Sequence, residues 1–174
     1  MIGRRGARPD RTREALRAHL RIATCCNLLM KEARQRVAGR WRLTLPQFDV
    51  LAELDRAGAG GFTFAELSRL LLVTSGNLTG IVDRLEEQRL VARRRDTHDG
   101  RVVRVALTVR GRRMTRGMLP THAADIDEIL SFMPHATLVS LNRLLDRLRR
   151  GLHERHAAPR AAGRSAGRRT AGRS

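Results

Sequence analysis

Apolar residues recur at three- and four-residue spacing through much of this chain, the pattern of helices that bury one face. Near the middle, Thr63 and Glu66 form a capping-box pair that opens a short helix. A hydroxyl-rich break at residues 73–75 follows, and Thr74 or Ser75 then caps a second helix. The residues predicted to be buried in the first helix are Phe64, Leu67, Leu70 and Leu71. Two short helices joined by a tight turn predict a helix-turn-helix.

The second of these helices has two dissimilar faces. Its inward face consists of Leu78, Ile81, Val82 and Leu85. Its outward face is small, polar and mostly uncharged: Ser75, Gly76, Asn77, Thr79, Gly80 and Asp83. A merely solvated face would more often carry Glu, Lys and Gln, whereas short hydrogen-bonding groups suit the DNA major groove. We therefore predict that DNA is contacted by Thr74, Ser75, Gly76, Asn77, Thr79, Gly80 and Arg84.

Two β-prone, arginine-bearing runs follow at residues 90–95 and 102–107, separated by a polar turn that contains Asp99-Gly100. A hairpin directly after a helix-turn-helix predicts a wing that enters the minor groove. We assign the minor-groove role to Arg101, oriented by Asp99; the alternative is a solvated hairpin tip. Phosphate contacts are predicted for Arg93, Arg94, Arg95 and Arg104.

Four motifs here resemble the signature of the MarR (multiple antibiotic resistance regulator) family, and the resemblance extends from about Leu16 to Leu152. They are Asp83-Arg-Leu-Glu86, Leu90-Val-Ala-Arg93, Asp99-Gly-Arg101 and Leu107-Thr-Val-Arg-Gly111. The resemblance implies a homodimeric winged helix-turn-helix transcription factor, most often a repressor, that a small ligand releases from double-stranded DNA. Gly80 and Gly100 stand where the family often carries a basic residue, so contacts there are expected to be weaker or displaced.

The first and last helices are predicted to form the dimer. A helix from Thr12 to Ala38, ended by Gly39, is apolar over much of its circumference, which indicates burial by a partner chain as well. Its two stripes are Leu16, Leu20, Ala23, Asn27 and Met30, and Ile22, Cys26, Leu29, Ala33 and Val37. A helix after Met133-Pro134 repeats leucine at alternating three- and four-residue spacing, a helix-to-helix seam: Leu138, Leu141, Leu145, Leu148 and Leu152.

The remaining helices complete a fold that is mainly α with a small β-hairpin wing (α+β). One helix starts near Thr44 with Pro46 in its first turn, buries Phe48, Leu51, Ala52 and Leu54, and closes in a Gly-rich loop. Another begins after Thr108 and is expected to kink at Pro120. We divide the chain into a disordered basic arm (1–10), one domain (11–156) and a disordered Arg/Ala/Gly-rich tail (157–174). Within the domain, 44–108 is the DNA-binding lobe, and 11–40 and 109–156 are the dimerisation helices.

The formal net charge of +18 and the sequence pI of about 11.8 favour a polyanionic partner. The rival interpretation is a nonspecific architectural, nucleoid-associated DNA-binding protein. The amino terminus has no apolar leader and no long apolar run occurs, so we expect a cytoplasmic protein, bacterial or archaeal, with no membrane partner. Catalytic motifs are lacking, and the Asp125–Glu128 cluster is interpreted as a solvated helix face.

The sequence offers three further candidate features. Adjacent cysteines, Cys25 and Cys26, have no metal-ligand spacing, so neither zinc nor another cofactor is expected. We favour small buried hydrophobes there over a peroxide-sensing pair, because a sensing thiol needs exposure and a stabilised thiolate. An effector pocket for an aromatic acid is a lower-ranked interpretation than an ordinary core, and its candidate residues are His19, Arg34, Trp41 and Phe48.

Overall fold

The computed structural model describes residues 10–96 and 99–157, which form six α-helices and a small antiparallel sheet. The first helix, α1 (Arg11–Trp41), begins where the Asp10 side chain accepts a hydrogen bond from the backbone N–H of Thr12 at 3.2 Å. The predicted end at Gly39 is wrong: the helix ends after Trp41, and Arg42 caps it with a left-handed φ of 55°. Trp41 stacks on Phe48, so tertiary packing keeps the last turn helical past the glycine.

The next helices begin at hydroxyl caps, as predicted. They are α2 (Leu45–Ala57), capped by Thr44; α3 (Phe64–Leu71), capped by Thr63; and α4 (Ser75–Glu87), capped by Thr74. A 3₁₀ turn, Gly58–Gly60, follows α2. Thr63 and Glu66 form the predicted capping box, in which Glu66 accepts the backbone N–H of Thr63 at 2.7 Å. Because that hydrogen bond favours the carboxylate, the pKa of Glu66 lies below its usual value.

The sheet has three strands: β1 (Phe62–Thr63), β2 (Val91–Arg95) and β3 (Val103–Leu107), in the order β1-β3-β2. The β2–β3 hairpin confirms the two predicted strands. The sequence pattern did not show β1, because a two-residue strand has no periodicity and forms only by pairing with β3, Phe62 opposite Val105. Gly61, with a φ of 59°, allows the chain to lie close to β3, because a Cβ at this position would be 2.1 Å from the Val105 carbonyl oxygen.

The long helix α5 (Val109–Ile129) follows the sheet and begins at the predicted cap, Thr108, whose Oγ1 accepts the backbone N–H of Gly111 at 3.0 Å. The helix continues through Pro120, and the predicted kink stays a prediction. The last helix is α6 (His135–Ala157). Among the described residues, none of the helices combines the length and apolar character that crossing a membrane requires.

One hydrophobic core joins the carboxy-terminal part of α1, the helices α2, α3 and α4, the sheet and the inward face of α5. Its largest fully buried members include Leu51, Leu54, Leu67, Leu78, Leu85, Leu107 and Met118. The predicted inward face of α4 is buried in full. In α3 only Leu67 is buried, while Phe64 and Leu71 are half-buried, as Ala52 is in α2. Leu70 is 41% exposed, because it lies at the edge of the α3 face that Leu67 centres.

The chain divides after Leu130 into two units, the first holding α1–α5 and the sheet and the second holding α6. In the first unit the part of α1 up to residue 28 exposes Leu16, Leu20, Ile22 and Leu28. Cys25 and Cys26 lie in the same part of α1 and are exposed and free. The expectation that the two cysteines are buried is therefore wrong for a single chain. This part of α1 extends beyond the hydrophobic core of that chain, so no residue of the core covers it. In the second unit α6 exposes Leu141, Leu144, Leu145, Leu148 and Leu152.

Candidate nucleic-acid interface

The outward face of α4 is free of packing contacts along its first two turns. Four apolar residues anchor the helix from the other side: Leu78, Ile81, Val82 and Leu85. All six predicted outward residues are exposed: Ser75, Gly76, Asn77, Thr79, Gly80 and Asp83. Thr74 Oγ1 accepts the Asn77 N–H at 3.4 Å, and Thr79 Oγ1 donates to the Ser75 carbonyl at 3.0 Å. These hydroxyls keep acceptor capacity, and the Asn77 amide can both donate and accept at a base edge.

The turn between α3 and α4 is closed by hydrogen bonds within itself. Ser68 Oγ donates to the Val73 carbonyl at 2.5 Å, and the Val73 N–H donates to the Ser68 carbonyl at 3.2 Å. Leu72 adopts a left-handed φ of 54° and is 84% exposed. The turn therefore holds α4 in a defined orientation against α3, as a helix-turn-helix requires.

The β2–β3 hairpin ends in a tight polar turn. The N–H of Asp96 donates to the Val102 carbonyl at 2.8 Å, and the Val102 N–H donates to the Asp99 carbonyl at 2.9 Å. Asp99 Oδ1 accepts the backbone N–H of Arg101 at 3.0 Å. Asp99 thus orders the backbone that carries Arg101 and does not hold its guanidinium in this structure. The Arg101 side chain is exposed at the tip.

The predicted phosphate-contacting arginines fall into two groups. Arg84, Arg94 and Arg95 are exposed. Arg93 and Arg104 are half-buried, and both form ion pairs within the chain.

Arg93 pairs with Asp83 and Glu86, and these hydrogen bonds, that of Asp83 foremost, raise the pKa of Arg93. Arg104 Nε donates to Asp96 at 2.5 Å, and its Nη1 lies 3.5 Å from Glu66. The hydrogen bond that Arg104 donates to Asp96 is the main cause of the raised pKa of Arg104. The spacing of the arginines in the sequence did not show which of them are exposed and which form ion pairs within the chain.

The predicted effector residues do not converge in one chain. Trp41 stacks on Phe48 with ring centroids 5.9 Å apart. The ring of Phe48 also contacts the ring of His122, with centroids 4.3 Å apart. Arg40 lies 5.8 Å from the centroid of the Trp41 ring. His19 precedes Trp41 by 22 residues on the same helix, which corresponds to about 33 Å at 1.5 Å per residue. The prediction that His19 lines the same pocket as Trp41 and Phe48 is therefore wrong for a single chain. Arg34 is exposed on α1.

Next to this aromatic cluster lies a charged contact between α1 and α5. Asp125 is only 5% exposed, and its Oδ1 accepts hydrogen bonds from Arg36 at 3.2 Å and Arg40 at 3.1 Å. Arg36 also donates to Glu128 at 2.7 Å, which lowers the pKa of Glu128. The interpretation of Asp125 as part of a solvated face is wrong, because the two arginines that cover it come from a helix 85 and 89 residues earlier.

A shallow, open surface depression of about 370 Å³ lies on α1 beside these ion pairs, lined by Gln35, Arg36, Gly39 and Arg40. Its two arginines are cationic, and Arg40 connects it to the Trp41 ring. Within residues 10–96 and 99–157, no three His, Cys, Asp or Glu side chains converge into a metal site.

Comparison with known proteins places this geometry in a family. A family model described as "MarR family" matches residues 43–102, from just before α2 to the start of β3. The transcriptional activatory protein BadR of Rhodopseudomonas palustris is 33% identical over 143 residues, which cover 78% of this chain and 81% of BadR. The chain belongs to the MarR family. It is a winged helix-turn-helix DNA-binding transcriptional regulator.

Two further transcriptional regulators show how far the similarity extends. The HTH-type transcriptional regulator MhqR of Bacillus subtilis is 32% identical over 78 residues, 45% of this chain and 54% of MhqR. The crystal structure of the transcriptional regulator BldR from Sulfolobus solfataricus superposes with a TM-score of 0.67 at 27% identity, covering 79% of this chain and 99% of BldR. In this MarR-family chain, α3 and α4 are the helix-turn-helix and the β2–β3 hairpin is the wing.

Proposed function

We propose that this MarR-family regulator is a homodimeric repressor, acting at the nucleoid in the cytoplasm, whose α4 reads bases in the major groove while Arg101 enters the adjacent minor groove. The observation that supports base reading is the outward face of α4, where the side chains are short, polar and exposed. Arg84, Arg94 and Arg95 are the proposed phosphate contacts, because their side chains are exposed beside this face.

The homodimer is proposed from apolar surface that one chain leaves uncovered. Leucine side chains are exposed along α1 between Leu16 and Leu28 and along α6 between Leu141 and Leu152, with exposed fractions of 36% to 61%. Contiguous apolar stripes of this kind favour a protein interface over solvent. Two-fold symmetry then predicts an inverted-repeat operator whose half-sites lie about 34–36 Å apart, one helical turn.

The rival proposal is a nonspecific architectural protein, which the net charge of +18 alone would favour. Footprinting on the DNA that flanks its own gene separates the two. We expect a short protected site with inverted symmetry at protein concentrations that leave the rest of the duplex open. Uniform coating with no preferred site would contradict the regulator and support the architectural alternative.

An aromatic carboxylic acid is the proposed effector class. Arg36 and Arg40 line the depression on α1, and both already pair with carboxylates of α5. A guanidinium has five N–H donors, so an added carboxylate would bind beside these ion pairs, most readily at Arg40, whose side chain is 50% exposed and lies 5.8 Å from the centroid of the Trp41 ring. Trp41 is the single tryptophan of the chain, which makes its fluorescence a local probe. Salicylate is expected to change Trp41 emission saturably and to weaken DNA binding over the same concentrations. The Arg40→Met variant is expected to lose both effects, and an unchanged response in that variant would contradict the assignment.

A further inference from the structure

The guanidinium of Arg93 reaches from the wing to both helices of the helix-turn-helix. Its Nη2 donates to Asp83 Oδ1 at 2.5 Å, and its Nη1 donates to Glu86. Glu86 also accepts the backbone N–H of Arg93 at 3.1 Å, while the Arg93 Cζ lies 5.4 Å from the centroid of the Phe64 ring. One residue therefore fastens β2 to α4 through both its backbone and its side chain, and contacts α3 through an aromatic face.

These contacts are directional. A planar guanidinium that donates to two carboxylates fixes the relative orientation of the elements that carry them, which a flexible lysine does not. Arg93 stands opposite Val105, a fully buried residue of β3, so the fastened point is also packed. The next residues along β2, Arg94 and Arg95, are exposed and lead to the wing tip. The direction in which the wing leaves α4 is thus set at Arg93.

Charge balance favours the same interpretation. Asp83 lies on the outward face of α4 and Glu86 is half-buried beside it. Arg93 forms an ion pair with each, and its single positive charge offsets part of their combined negative charge. If Arg93 turned away to a phosphate, two carboxylates would be left uncompensated on the helix that approaches the polyanion, where like charges repel. The intramolecular pairs and a phosphate contact therefore compete for one guanidinium.

We propose that Arg93 is a positioning residue that fixes the separation of α4 and the wing, and that it determines sequence discrimination instead of contacting phosphate. The inference rests on the proposed reading of DNA by α4 and Arg101. Simultaneous insertion of a helix in the major groove and a wing in the adjacent minor groove requires a set distance between them. A loosened wing still meets phosphates but no longer adds its contacts in register with those of α4.

Three variants test this assignment. Arg93→Lys keeps the charge and loses the planar fork; Asp83→Asn/Glu86→Gln keeps Arg93 and removes its partners. Arg94→Met, at the exposed neighbouring position, is the matched control. Each is titrated across a range of salt against the duplex that wild type selects from a random pool and against a scrambled duplex, after thermal unfolding shows that it folds.

A positioning role predicts that Arg93→Lys and the double variant both lose about tenfold in the ratio of selected to scrambled affinity, within the range that one base contact supplies. The salt dependence of Arg93→Lys is expected to stay at the wild-type slope. Arg94→Met should instead weaken both duplexes alike and reduce the slope of log affinity against log salt by about 0.9.

Two results would overturn the inference while leaving the proposed function intact. One is an Arg93→Lys variant whose ratio of selected to scrambled affinity equals that of the wild type. The other is a double variant that binds both duplexes more tightly by equal factors, as expected if Arg93 were freed to bind phosphate. A wild-type protein that shows no preference for any selected duplex would overturn the proposed function, and the inference with it.

Discussion

Gly111, in the first turn of α5, lies against the backbone where β2 begins, and a side chain does not fit there. A Cβ at this position would be 2.0 Å from the Leu90 carbonyl oxygen. Ordinary carbon-to-carbonyl contacts are about 3.3–3.6 Å, so α5 and the strand must separate by roughly 1.3 Å. That carbonyl also accepts the backbone N–H of Thr108 at 3.0 Å, and the separation would break this bond.

The expected cost of Gly111→Ala follows from these contacts. Overpacking lowers the free energy of unfolding by about 2 kcal/mol and the lost hydrogen bond lowers it by about 1 kcal/mol. The higher helix propensity of alanine raises it by about 1 kcal/mol. The net expected loss of unfolding free energy is about 2 kcal/mol, or about 4–8 °C in Tm for a chain of this size. The position is the glycine of the Leu-Thr-Val-Arg-Gly motif, and the close approach is its physical reason.

Gly117→Ala on the same helix is the matched control, because a Cβ there would meet nothing within 4 Å. It should stabilise the protein by about 1 kcal/mol through helix propensity alone. Urea denaturation at equal protein concentration, followed by circular dichroism, measures both variants. If Gly111→Ala proved as stable as Gly117→Ala, the described docking of α5 on the sheet would be refuted.

Three other perturbations have defined outcomes. Burial, with a smaller contribution from Glu53, raises the pKa of Asp49 from 3.8 to about 6. The folded state then holds a proton that the unfolded state releases, so stability falls as pH rises from about 4 to 6. Asp49→Asn should be more stable than wild type by about 1 kcal/mol at pH 8, after discounting for the partial exposure of Asp49, and equal below pH 4 in urea titrations. Replacing Leu141 and Leu145 by Asp should give monomer or unfolded chain in sedimentation; a monomeric wild type at micromolar concentration would contradict the dimer. Deleting residues 158–174, which lie outside the described part of the chain, should weaken specific and random DNA binding by similar factors and flatten the salt dependence; loss of discrimination alone would oppose this.

Local signals in the sequence predicted most of the winged element. The Thr63–Glu66 capping box and the inward residues of α4 depend on neighbours three and four positions away, so periodicity and cap chemistry suffice to find them. The hairpin strands were equally visible, whereas β1 was not, because its two residues become a strand only by pairing with β3.

Features that depend on distant partners were missed or misassigned. Asp125 has the sequence context of a solvated helix face, and Arg36 and Arg40 on α1 bury it. Arg93 looks like any other wing arginine until its carboxylate partners on α4 are known. Arg89, exposed at a φ of 59°, shows the same limit: a backbone conformation that favours glycine is held by a residue that gives no sign of it.

The central claim, that the α4 face and the wing tip read DNA sequence, is tested most directly by selecting binding sites from a random duplex pool. Wild type is compared with Asn77→Ala, Thr79→Ala and Arg101→Ala. We predict that the two α4 variants select altered bases within each half-site, and that Arg101→Ala binds the wild-type site more weakly, each change amounting to about 1–3 kcal/mol. Recovery of the wild-type site with unchanged affinity by all three variants would contradict the claim.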